Sequence, residues 1–325
     1  MNLQLKNQIK VRSSCAAGFL TRMLNDYNQF RVYRTTEHWQ DISTLYRHLL
    51  AVSTLFNAST TLGEPILASY ANKALGAALD KEHEHGDRLC LIEKDNEGNE
   101  VSQTLCNAIM AHILLKLTPD NKARKYINAV DDSIRTRVHK YFPGAGENNA
   151  VIYHYGIPVI ILLEAYHAYK EDYYLDRAKE TTALMISQSV KFSAYDAWAL
   201  ALMVDYYKNP QTEKHFKGLM DHVSSDIEIL KSVPSATVPF YTQTHMARQL
   251  IDYDTEREEK IDQLIEIQTQ LQVDQTHNFD HDLQLAGGGF VADNFQNTIK
   301  LHFVVDNLCS YLQYINGAKD LSLIF

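Results

Sequence analysis

Four histidines recur at comparable places in this chain. His48, His154, His245 and His302 each stand near the start of an apolar segment with helical spacing. Imidazole is the side chain that takes up and releases a proton near neutral pH. Each has company that fits a polar ligand. Tyr46 and Arg47 precede His48, Tyr153 and Tyr155 flank His154, Gln243 and Arg248 share the segment of His245, and Lys300 and Asp306 share that of His302. A further segment opens with Tyr195, Asp196 and Trp198. Aromatic rings beside polar groups in a concave opening suit sugars, whose C–H faces stack on Tyr or Trp while their hydroxyls take directed hydrogen bonds.

The pattern assigns acid/base work to His245 or His302, with Asp196 as a second proton-transfer or orienting group. Arg47, Lys300 and Arg248 would receive anionic substituents. Tyr153, Tyr195, Trp198 and Phe290 would form a stacking wall, and His48, His154, Gln243 and Asp306 would complete the substrate contacts. A mouth rich in histidine leans toward proton abstraction next to a carbonyl or uronate. Glycoside hydrolysis normally uses two carboxylates, roughly 5 to 10 Å apart. Asp196, the deeper Asp306 and Glu164 are available, and spacing alone pairs no two of them. Asp196 also reads as an acid that complements the dipole of its own helix.

Other chemistries find no support. No HExxH motif and no His pair at ligand spacing along one helix points to zinc, and Cys15, Cys90, Cys106 and Cys309 form no CxxC pair. They read as reduced and mostly buried. Gly287-Gly288-Gly289 is not followed by Lys-Ser/Thr, so it is no phosphate loop; it reads as a place of close backbone approach that leaves Phe290 at the opening. Asp131-Asp132 lacks the second acidic motif of a terpene synthase. His83 and His85 read as solvated loop residues at the end of an outer helix. No cofactor and no metal is expected.

The elements that must position these residues follow a repeat. Apolar helices are expected over 44–61, 102–117, 150–169, 194–208, 239–252 and 297–315, each ending at a break such as Gly63-Glu64-Pro65, Pro119-Asp120-Asn121 or Asn209-Pro210. More charged helices follow over 66–82, 121–139, 173–190, 211–230 and 255–273. The breaks fall about 40 to 55 residues apart, the period of helical-hairpin arrays. The apolar set reads as an inner layer and the charged set as a solvated outer one. An N-terminal helix near 14–29 supplies the missing outer member and pairs with the last inner helix. The expected fold is therefore all-α, an (α/α)6 toroid of six helical hairpins formed by residues 1–325 as one domain. A small β-hairpin is expected within 88–101. In such a ring the inner helices run parallel, so the histidine-bearing starts gather at one mouth. An open α-solenoid scaffold is the competing architecture.

Composition bounds the function. The 325 residues are 45% hydrophobic and 22% charged, the makeup of a folded globular chain. A net charge of -9 argues against a nucleic-acid partner. The longest apolar run, 158–163, is far short of the roughly 20 residues that cross a bilayer. The first residues contain no apolar signal core, so a cytoplasmic location is expected, with signal-independent export left open.

Taken together, these segments resemble bacterial proteins of the six-hairpin glycosidase-like class. The resemblance is carried by Leu45-Tyr46-Arg47-His48, Tyr173-Tyr174-Leu175-Asp176-Arg177-Ala178, Asp196-Ala197-Trp198, Gly288-Gly289-Phe290 and Ile299-Lys300-Leu301-His302. It implies an (α/α)6 toroid and hydrolase, lyase or sugar epimerase chemistry in its central cleft. The chain departs from the pattern at Tyr155-Gly156-Ile157-Pro158, where the class has a Pro-Gly-Glu type turn. It departs again at Lys300-Leu301-His302, where the class has an Arg-x-Asp type pattern. These departures imply a different substrate or a site that has lost catalysis. Two functions follow: a carbohydrate-active enzyme, or a catalytically degenerate module of the same fold that binds carbohydrate or protein.

Overall fold

The computed structural model describes residues 3–34, 39–94, 98, 100–136, 140–141, 155–188, 193–206, 210–211, 214, 237–274, 286–291 and 298–317. In chain order the elements begin with α1 (Leu3–Arg22), β1 (Arg31–Arg34), β2 (Trp39–Ile42), α2 (Leu45–Leu62) and α3 (Pro65–Leu79). Next come β3 (Glu82–His85), β4 (Arg88–Lys94), β5 (Glu100–Gln103), α4 (Thr104–Leu117), α5 (Asn121–Thr136) and β6 (Lys140–Tyr141). Then follow α6 (Gly156–Tyr169), α7 (Asp172–Gln188), α8 (Ala194–Met203), α9 (Thr237–Ile251), α10 (Thr255–Leu271), β7 (Ile299–Lys300) and α11 (Leu301–Asn316). They form two compact units, Met1–Ala77 with Met220–Phe325, and Ala78–Leu219.

In the first unit α11 packs against α1, α2 and α9, and α9 packs on α10. α1 begins eleven residues earlier than the spacing predicted, because Leu5 and Ile9 already continue the buried stripe of Ala16, Phe19 and Leu20. It ends earlier too. Asn25 accepts the N–H groups of Tyr27 and Gln29 at 2.9 Å on its side chain, and Asn28 takes a positive φ of 57°. Such an Asx turn competes with helix and reverses the chain. α2 starts at Thr44, whose hydroxyl accepts the Arg47 N–H, and ends at Gly63 with φ 70°. A small antiparallel sheet of order β2-β1-β7 was not foreseen, since strands this short leave no readable alternation. Its register pairs Tyr33 with Lys300 and Arg34 with Ile299.

The second unit shows why one helix of a hairpin is buried and the other is not. α6 is apolar on every side, and Ile157, Val159, Ile160, Ile161, Leu162 and Leu163 are all buried as it packs on α4, α5, α7 and α8. α5 buries one stripe, Ala123, Tyr126, Ile127, Val130 and Ile134, and turns lysines and arginines outward. The expected hairpin is present, with Ile92 opposite Ser102, and it belongs to a sheet of order β3-β4-β5-β6. His83 and His85, expected in a loop, lie on β3. A two-residue turn at Gly86, with φ 65°, pairs His85 with Arg88, and both histidines remain exposed. The helix expected over 211–230 lies almost wholly outside the described residues.

Candidate active site

The richest chemistry in the first unit lies where α11 begins. Lys300 is its N-cap, held in place because β7 is hydrogen-bonded to β1. His302 therefore falls in the first turn, and Asp306 lies four residues on along the same face. Arg47 stands in the first turn of α2, which packs on α11, and its charge acts on both. Asp306 is half-buried, and its carboxyl makes no hydrogen bond or ion pair with any described residue. Burial pushes it up to about 7, with the nearby Arg47 charge pulling the other way. His302 is driven down to about 4, first by burial and then by the charges of Arg47 and Lys300. Its Nδ1 is buried without a partner, and its ring lies 4.3 Å from that of Phe303. Gln243, buried on α9, donates from Nε2 to the Asp306 carbonyl oxygen at 3.3 Å. A carboxyl balanced near pH 7 can give or accept a proton, whereas the imidazole beside it is neutral and offers hydrogen bonds rather than charge.

The remaining candidates of this unit fall elsewhere. His245 lies about two turns inside α9, roughly 12 Å from its start, because the helix begins at Thr237. It is 7% exposed, its Nδ1 has no partner, and burial followed by the Lys260 and Arg257 charges drives it down to about 4. Arg248 is in the last turn of α9 and is paired with Asp252 at 3.7 Å, so it stands at the wrong end of the helix to meet a ligand at its start. His48 is also corrected. It is buried, with Nε2 2.8 Å from the Ala74 carbonyl and Nδ1 accepting the Phe30 N–H at 3.4 Å, so both ring nitrogens tie backbone segments together. Phe290, expected at the opening, is fully buried edge-on to Tyr311. The close approach beside it is real: a Cβ on Gly288 would lie 2.1 Å from the Cys15 carbonyl oxygen.

In the second unit Asp196 is committed to structure. Its Oδ2 accepts from Ser193 N at 2.7 Å and Ser193 Oγ at 2.9 Å, which completes a capping box, and its Oδ1 accepts the Gly156 N–H at 2.9 Å. The acid thus joins the start of α8 to the start of α6, where a Cβ on Gly156 would lie 2.5 Å from the Tyr195 carbonyl carbon. Trp198 is 1% exposed and presents no face to a ligand, whereas Tyr195 is half-buried. Tyr153 and His154 lie outside the described residues. One pair was missed: His112 on α4 points Nδ1 at both oxygens of Glu164 on α6, at 2.9 and 2.8 Å. Burial depresses His112 while Glu164 opposes the shift. The signal was available, since each is a titratable residue inside an apolar run.

Among the described residues no group of three His, Cys, Asp or Glu is placed to hold a metal ion. No helix there is long and apolar enough to cross a membrane. No family model matches the sequence, and no curated protein matches it. Solved structures do. An unsaturated glucuronyl hydrolase from Bacillus sp. GL1, responsible for glycosaminoglycan degradation, is 13% identical, with 94% of this chain and 96% of that chain covered at a TM-score of 0.62. A family 76 glycoside hydrolase from a bovine Bacteroides thetaiotaomicron strain is 10% identical, with 94% of this chain and 77% of that chain covered at 0.66. A D-mannose isomerase is 10% identical, with 96% and 98% covered at 0.63. The chain shares the (α/α)6 toroid fold of these proteins.

Proposed function

We propose that the chain is a carbohydrate-active enzyme whose proton-transferring group is Asp306. The supporting observation is a carboxyl that burial moves up to about 7, without a partner among the described residues, with the Arg47 charge acting on it and a neutral His302 one turn before it. Asp306 donates or takes the proton, His302 hydrogen-bonds the sugar, and Gln243 fixes the backbone from which Asp306 projects. His245 is a neutral base deeper in the same unit, and Asp196 holds α6 to α8 rather than moving protons. The solved structures with this fold include hydrolases and an isomerase, so hydrolysis, elimination and epimerisation are the reaction classes to be tried.

The test is turnover. The full chain is incubated with unsaturated glucuronyl disaccharides, α-1,6-linked mannan oligomers and D-mannose, and products are read by chromatography. Conversion of one substrate, lost in Asp306→Asn with the melting temperature retained, is the expected result. Binding without turnover in the wild type would replace the enzyme with a degenerate binding module.

A further inference from the structure

The Gly287-Gly288 turn takes no part in the site above, yet it walls a second cavity of the first unit. That cavity, of about 950 Å³, follows one face of α1. Val11, Cys15, Gly18 and Arg22 line it at helical spacing, with Val273 and Gly288 also in its wall. Asp306, His302 and Arg47 are not among its lining residues. Its volume is that of a small-molecule site, and its walls are mostly apolar. Two glycines shape it. Gly288, at φ 91°, presses on the Cys15 carbonyl where a Cβ would collide, and Gly18 leaves space in which a Cβ would meet Arg22 Nη1 at 3.7 Å.

Polar groups of the wall are largely spent on one another. Arg12 donates to the Thr269 carbonyl at 3.2 Å and pairs with Asp274 at 3.1 Å, while Gln272 donates to the Arg12 and Gly288 carbonyls at 2.8 and 3.1 Å. Arg22 is different. It donates from Nη2 to the Gly287 carbonyl, and its buried Nε meets no acceptor among the described residues. The last residue of α1 therefore brings a positive charge and unfilled donors to one end of a mostly apolar cavity. From Val11 to Arg22 the helix rises about 16 Å.

We infer that this cavity binds a carboxylate with an apolar body, of the kind of a medium-chain fatty acid, its carboxylate on Arg22 and its chain along Gly18, Cys15 and Val11. The inference goes beyond the reading of Asp306 and stands without it. A neutral ligand of the same shape leaves the Arg22 donors unfilled, and an organic cation meets like charge. A sugar finds few open polar partners in such walls.

The experiment follows alkylation of Cys15 by iodoacetamide in the full chain, with the Cys15 peptide quantified by mass spectrometry. Cys15 is exposed, whereas Cys90, Cys106 and Cys309 are buried, so the label reads this cavity. Decanoate, decanol and decyltrimethylammonium are the probes, and each rate is compared with that of the same variant without probe. Decanoate slows alkylation several-fold and does so at about 10-fold lower concentration than decanol, with the cation weaker still. Arg22→Met brings decanoate to the level of decanol, and Arg22→Lys restores part of the difference. Gly18→Leu fills the cavity and removes protection by every probe, with the melting temperature held because leucine favours helix over glycine. Equal action of decanoate and decanol on the wild type overturns the anionic end, as does a difference that survives Arg22→Met. Protection by none of the probes, or protection that persists in Gly18→Leu, overturns the cavity as a binding site.

Discussion

Asp196 and Asp306 are two aspartates near the starts of buried helices, one in each unit, and they have opposite circumstances. Asp196 accepts from Ser193 twice and from the Gly156 N–H, so its charge is matched by backbone and cap. Asp306 accepts nothing on its carboxyl from the described residues and is moved up to about 7. A carboxylate surrounded by donors is stabilised as an anion and inert as an acid, whereas one left bare in a dry place holds its proton until a reaction needs it. The same division separates the histidines. His48 has both nitrogens on backbone, while His302 keeps a buried Nδ1 unpartnered. Residue type and repeat position are shared; partners divide structure from chemistry.

The largest test of this contrast is Asp306→Asn. Activity is expected to fall by about 10²–10⁴-fold, the usual worth of a positioned acid or base. The melting temperature should hold or rise, because a neutral amide removes the cost of a buried carboxylate. In the wild type, a step that needs protonated Asp306 slows as pH rises through about 7. Asp196→Ala should do the reverse. It loses the capping box and leaves the Gly156 N–H buried without an acceptor, costing about 2–4 kcal/mol by denaturant titration. Full activity loss with an unchanged melting temperature would break the comparison. Gly156→Ala places a methyl 2.5 Å from the Tyr195 backbone and should cost about 1–3 kcal/mol at the same junction.

The helices were legible because their apolar residues recur at helical spacing and their breaks carry Gly, Pro, Asn or Asp. The (α/α)6 period followed from those breaks. The strands were legible only where an apolar run met a polar turn: β4, with Leu89, Cys90, Leu91 and Ile92 buried, was found, while the two-residue β7 was not. That omission matters, because β7 is what sets Lys300 at the head of α11. At the proposed site, the sequence reading named Arg47, Lys300, His302 and Asp306, and the structure puts them in the opening turns of α2 and α11, two helices that pack on each other. That reading ranked them by residue type, which put Asp196 and the histidines ahead of Asp306. Burial and the identity of hydrogen-bond partners decide proton affinity, and both come from residues distant in sequence, such as Gly156 for Asp196 or Ala74 and Phe30 for His48. Arg248 was misplaced for a simpler reason: helical spacing assigned it to the right helix but not to the correct end.

The smallest effect sharpens the comparison through pH. His245 and His302 sit near 4 in the folded protein, below the ordinary histidine value of 6.5. Between those values the unfolded chain binds more protons, so these residues make stability fall as pH falls from about 6.5 toward 4. Asp306 runs the other way. Its folded value of about 7 lies above the ordinary 3.8, so its contribution is complete at low pH and is lost as pH rises toward 7. The groups therefore partly cancel, and removing one exposes the rest. His245→Gln, at a site 7% exposed, should narrow the gap in unfolding free energy between pH 7 and pH 4.5 by on the order of 1–2 kcal/mol. Asp306→Asn should widen it. A gap that neither substitution moves would mean that protonation of these groups is not linked to folding. The bare carboxyl of the first unit would then be no different from the capped one of the second.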